Sequence, residues 1–107
     1  MHQFEEMAIH NANLKLVEYI KNRFPNPFRN TADEEILLFV DDVRKRARNY
    51  NVINENDVAT ALDLTVMYKK DFYEANWAKD IFQIPNWSGA EKMNALRHRV
   101  RIQVPQF

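Results

Sequence analysis

Residues 31–50 read TADEEILLFVDDVRKRARNY, and the fold class turns on this stretch. Ile36, Val40, Val43, Ala47 and Tyr50 recur at steps of four and three, so on a helix they align as one apolar stripe, widened by Leu37 and Phe39. Thr31 followed three residues later by Glu34 has the form of a capping box, in which each side chain satisfies an orphan amide at the helix start. Glu34 and Glu35 also suit the positive end of the helix dipole. The run Asn49-Tyr50-Asn51-Val52-Ile53-Asn54 then breaks the helix, because asparagine tolerates left-handed backbone and competes for helical hydrogen bonds.

Working outward, the flanking segments read as further helices. Upstream, residues 2–23 carry Phe4, Met7, Ala8, Leu14, Val17 and Ile20 near a 3.6-residue period. Phe24-Pro25-Asn26-Pro27-Phe28 must leave the helix, and an extended segment is expected with both phenylalanines as anchors. Downstream, Asn54 is placed to cap a third helix, with Glu55 and Asp57 at its positive end. Val58, Ala61, Leu62, Thr65, Val66 and Phe72 would supply its inner face, and it should pair with the preceding helix as an antiparallel hairpin. Trp77, Ala78, Ile81 and Phe82 are spaced for a short helix that Pro85 ends. Ser88 and Glu91 make a second capping box, opening a last helix with Met93, Leu96 and Val100.

A single glycine, Gly89, argues against sheet architectures, whose hairpins and bulges draw on glycine. The expected fold is therefore all-α: one compact bundle over residues 1–107, with about four long helices and one short one. With 107 residues, 46% apolar and 12% aromatic, the chain suits one globular domain with a real core. Fifteen basic residues balance fifteen acidic ones, so no overall field draws it to nucleic acid or anionic lipid. Zero cysteines exclude disulfides, thiolate metal sites and a cysteine nucleophile. No stretch reaches the ~18 apolar residues of a membrane span, and residues 1–20 lack a signal-peptide pattern, which favours the cytoplasm.

Catalytic and metal motifs are scarce. His2, Glu6 and His10 would share a helix face, but a metal needs a further ligand and supporting groups, so no metal or cofactor is expected. His98 lies between Arg97 and Arg99, where cations oppose its protonation. The adjacent carboxylates Glu5 with Glu6, Glu34 with Glu35, and Asp41 with Asp42 diverge around a helix and read as solvated faces rather than an acid–base pair. No glycine-flanked serine, His-Glu-x-x-His or Walker loop is present, so the reading is non-enzymatic. Arg44, Lys45, Arg46 and Arg48 before a turn and a helix invite a helix-turn-helix reading. That helix, however, begins Glu55-Asn56-Asp57 and includes Asp63, which would repel phosphate.

The charge is uneven. Residues 92–107 hold Lys92, Arg97, Arg99 and Arg101 with no acid, and Ile102, Val104 and Phe107 add apolar contacts, so residues 101–107 read as a docking tail. Phe72, Tyr73, Trp77, Phe82 and Trp87 cluster within sixteen residues. Most should be core, with Tyr73 and Trp87, beside breaks, the exposed members. The partner-binding set read from the sequence is thus Tyr73, Trp87, Arg97, Arg99, Arg101 and Phe107.

The chain resembles a family of small all-helical bacterial proteins associated with type VI secretion effector loci. The resemblance rests on Arg23-Phe24-Pro25, on Val43 to Ala47-Arg48-Asn49-Tyr50-Asn51-Val52, on Glu55-Asn56-Asp57-Val58, on Asp71-Phe72, and on Trp77-Ala78 before Ile81. The family has glycine before the Asp-Phe pair, where this chain has Lys70, and often after the tyrosine, where it has Asn51. The resemblance implies a protein partner and no catalytic residue: an adaptor or chaperone-like accessory factor acting on a secretion effector or its loading adaptor. An immunity protein blocking a cognate toxin is the first alternative and a small DNA-binding regulator the second. The leading reading involves no nucleic acid and no membrane, and leaves the oligomeric state open.

Overall fold

The computed structural model describes the backbone of residues 2–105 and the side chains of residues 6–105. The fold is all-α, with no strand among the described residues. In chain order come α1 (His2–Arg23), α2 (Asp33–Arg48), α3 (Glu55–Met67), a 3₁₀ turn (Phe72–Glu74), α4 (Asn76–Phe82) and α5 (Gly89–Val100). Close contacts divide the chain into two compact units, Met1–Asp42 and Val43–Phe107, with the division inside α2.

In the first unit, α1 buries Asn13, Leu16, Val17 and Ile20, the i, i+3, i+4, i+7 pattern of one helical face. Met7, Ala8 and Leu14, expected on that face, are exposed, because each lies roughly 110–130° around the helix from its centre, and the side chain of Phe4 lies outside the description. The buried Asn13 is not left unsatisfied: its side-chain amide donates to Asp41 Oδ1 at 3.3 Å. Lys21 pairs with Asp33 at 2.9 Å, and that contact holds the lysine above its ordinary pKa. The α1–α2 connection is not extended. Its prolines preset turn geometry, and residues 25–30 form turns closed by the amide of Arg29 donating to the Asn26 carbonyl and that of Thr31 to Phe28. Phe28, half-buried, contacts Phe39 with ring centroids 5.8 Å apart. Helix α2 starts one residue later than a Thr31 cap requires, with Ala32 supplying the first carbonyl acceptor.

Of the stripe read from the sequence, Ile36, Val40, Val43 and Ala47 are buried on α2, whereas Tyr50 lies past its end and is half-buried. In the second unit α2 ends in a left-handed closure. Asn51 takes φ 62°, its amide donates to the Arg48 carbonyl, and the amide of Val52 donates to that of Ala47, each at 3.0 Å. Val52 and Ala47 are both buried, the apolar contact that accompanies such a closure. The turn's carbonyl face receives the start of α5. A Cβ on Gly89 would lie 2.0 Å from the Asn51 oxygen, so the only glycine stands where two backbones touch.

Helix α3 is the centre of this unit, with every residue from Asp57 to Leu64 buried. A helix enclosed on all sides has no solvent face, so Asp57, Thr60 and Asp63 sit in the core beside Val58, Leu62 and Leu64. The sequence pairs α3 with α2 as a hairpin; its close backbone neighbour here is α5, and α4 packs against α5 and the 3₁₀ turn. Arg44 nonetheless crosses the α2–α3 connection to grip Glu55 through two bonds of 2.6 and 2.7 Å, a bidentate clasp. Asn54 precedes α3 as expected but makes no side-chain cap bond; its amide donates instead to Asp57 Oδ2 at 3.4 Å. The capping box of α5 forms in full, Ser88 and Glu91 exchanging bonds of 3.1 Å. Arg101, at φ 59°, closes α5 with the left-handed geometry usually given to glycine.

Candidate partner-binding surface

The six residues singled out from the sequence do not converge. Tyr73 is only 4% exposed, because the 3₁₀ turn folds it inward. Its ring lies parallel to Tyr50, centroids 4.1 Å apart and planes 1° apart, and packs on Phe72 at 3.9 Å and Phe82 at 5.0 Å. Arg97 is likewise buried, at 8% exposure, since it lies on the face of α5 turned to α3. Its Nη1 donates to Asp57 Oδ1 at 2.9 Å and Thr60 Oγ1 at 3.1 Å. Both residues therefore belong to the interior, which corrects their placement on a docking surface. Phe107 lies outside the described residues. Trp87 is exposed as expected, at 41%, and so is Arg101. In the tail Ile102 is half-buried, Val104 exposed and Pro105 buried.

Arg99 is exposed and bonds to α4. Its Nη1 donates to the Trp77 carbonyl and to Asp80 Oδ1, each at 2.7 Å, which ties α5 to α4. The guanidinium holds the Asp80 carboxyl below the usual carboxylate range, mainly through that hydrogen bond. Trp77, half-buried, stands against Tyr68 with centroids 4.7 Å apart. Tyr68 is 42% exposed and follows the exposed Met67. Tyrosine, tryptophan and arginine are the side chains that most often carry binding energy at protein interfaces. Here the arginine is already oriented, so less side-chain entropy is lost when a partner docks. Tyr68 was missed in the sequence because it ends a helix read for its buried face; the signal was the loss of apolar period after Val66, where α3 passes from burial to exposure.

Other chemistry finds no assembled site among the described residues. No three histidine, aspartate or glutamate side chains gather to hold a metal, and the side chain of His2 lies outside the description. No described helix is long and apolar enough to cross a membrane. Comparison with protein-family models, with curated proteins and with solved structures finds no match.

Proposed function

We propose that this chain is a non-enzymatic, protein-binding accessory factor, adaptor or chaperone-like, and that its partner is a type VI secretion effector or the adaptor that loads it. The observation that carries the protein-binding part is the ring pair of exposed Tyr68 and half-buried Trp77, with Arg99 held at Trp77 by Asp80 and the Trp77 carbonyl. The nature of the partner rests on the sequence resemblance alone. A DNA-binding role draws no support from the fold, since the helix that would enter a groove is buried from Asp57 to Leu64.

Copurification of the tagged chain with the products of neighbouring genes tests this reading. A stoichiometric complex is expected, and Tyr68→Ala should weaken it by about 2 kcal/mol, roughly 30-fold, while circular dichroism stays unchanged. A chain that captures none of those products, with secretion unaltered on deletion, defeats the proposal. Rescue of cells poisoned by an adjacent toxin would instead assign the surface to an immunity protein.

A further inference from the structure

Arg99 is tied by one nitrogen only. Its Nη1 donates twice, to the Trp77 carbonyl and to Asp80 Oδ1, each at 2.7 Å. The other edge of the guanidinium, Nε with Nη2, has no partner among the described residues, and the side chain is 42% exposed. That edge carries two parallel N–H groups, spaced to meet both oxygens of a carboxylate. Because the Nη1 bonds hold the plane of the guanidinium, the free edge is presented in one orientation, and little freedom is lost when an acceptor arrives.

The surroundings of that edge suit an acidic partner. Trp77, whose carbonyl holds Arg99, packs its ring on Tyr68 with centroids 4.7 Å apart, and Met67 beside Tyr68 is 44% exposed. Lys69 follows Tyr68, is exposed, and its side chain has no partner among the described residues. The second unit as a whole carries eleven basic against seven acidic residues, so its field favours the approach of anionic partners. A nucleic-acid strand is the poorer match. Its run of phosphates would add repulsion from the exposed carboxylates of Asp71, Glu74 and Asp80, whereas one carboxylate can be placed on the free edge alone.

We propose that this surface recognises an acidic segment of its protein partner, one aspartate or glutamate carboxylate accepting hydrogen bonds from Nε and Nη2 of Arg99 while a neighbouring apolar side chain lies on Tyr68 and Trp77. The inference rests on the protein-binding reading and adds the chemistry of what is bound. The full chain is titrated with the end-capped peptide Glu-Asp-Leu-Phe-Glu-Asp, with its Gln/Asn isostere, with the same peptide bearing lysine at the acidic positions, and with oligouridylate. The indole N–H resonance of Trp77 and the Nε–H resonance of Arg99 report binding. The acidic peptide should shift both and bind about tenfold tighter than the isostere or better, a preference that shrinks as salt rises from about 20 to about 500 mM. Arg99→Lys keeps the charge but not the two-donor edge and should lose about fivefold or more of that preference. Lys69→Gln removes a side chain that ties nothing, so it keeps the test open should Arg99→Lys loosen α4; it should lose about two- to fivefold in affinity with an unchanged melt. Equal binding of the acidic peptide and its isostere at Trp77 overturns the carboxylate assignment and leaves the protein-binding reading standing. The proposal also falls if no peptide moves either resonance, in which case copurification judges the protein-binding reading separately, or if both variants bind like the original chain. Oligouridylate shifting both resonances as strongly as the acidic peptide would give the surface to phosphate and overturn it too.

Discussion

Replacing Gly89 by alanine would put a methyl carbon 2.0 Å from the Asn51 carbonyl oxygen, 2.6 Å from its carbonyl carbon and 3.1 Å from the Val52 nitrogen. None of these atoms is the tip of a flexible side chain. Asn51 and Val52 are pinned by two 3.0 Å hydrogen bonds to the end of α2, and Val52 is buried, so the turn cannot yield without releasing bonds or core. Overpacking costs about 1–3 kcal/mol when side chains can adjust, and a backbone-to-backbone clash belongs at the upper end. Alanine recovers less than the ~1 kcal/mol helix preference over glycine, because residue 89 is the first of α5. The net expectation is a loss of about 2 kcal/mol, or a fall in Tm of roughly 8–16 °C at about 4–8 °C per kcal/mol. Both tryptophans, Trp77 and Trp87, lie in the second unit, so urea denaturation followed by tryptophan fluorescence reads the effect where it arises. A Gly89→Ala protein that unfolds at the parent's midpoint or above it would refute the contact between α5 and the α2 closure.

Other perturbations have equally definite outcomes. Arg97→Met leaves Asp57 buried without its cation and should cost about 3–5 kcal/mol in urea denaturation, whereas Arg97→Met with Asp57→Leu should recover much of that loss; a single variant within 1 kcal/mol of the parent would show that the pair is not formed. Arg101→Gly should stabilise the chain by about 1 kcal/mol, since it frees a left-handed position from its Cβ, and a decrease in stability would contradict the closure of α5. Burial, more than the neighbouring Tyr50, raises the Tyr73 pKa well above its ordinary 10.0. Because the folded value is the higher one, its contribution to stability is fully present below pH 10.0 and is lost as the pH climbs from there toward the folded value. In an ultraviolet titration one tyrosine should therefore ionise only as the chain unfolds, and Tyr73→Phe should remove that late step; four tyrosines titrating together would contradict its burial.

The helices were legible where one physical signal dominated. The α2 stripe, the Ser88 and Glu91 box and the left-handed break at Asn51 depend on local spacing and backbone preference, and each is present. What could not be read was which polar groups the interior would take. Arg97 looks like one member of a basic run, and only the approach of α5 to α3 brings it to Asp57 and Thr60. Tyr73 follows a break and so reads as exposed, yet the 3₁₀ turn folds it under Tyr50 and Phe82. The same limit applies to Asn54, whose amide serves the Asp57 carboxylate rather than a helix end. Of the candidate surface, Arg99 was legible from charge, whereas Tyr68 needed the knowledge of where α3 emerges from the core. Gly89 was informative first as a rarity and then, for a different reason, as the only residue type its position accepts.

Helix α4 is seven residues long, far below the ~12–15 at which a helix persists alone in water. It is held from outside at both ends, by Lys92 donating to the Phe82 carbonyl at 2.9 Å and by Arg99 gripping the Trp77 carbonyl and Asp80. The cations that do this come later in the chain. On a ribosome α4 therefore emerges before its own scaffolding and must wait, uncoiled, until residues 92–99 have followed it out. A nascent chain arrested short of residue 92 would lack this element however complete α3 had become, so Lys92 and Arg99 command the shape of a segment made before them.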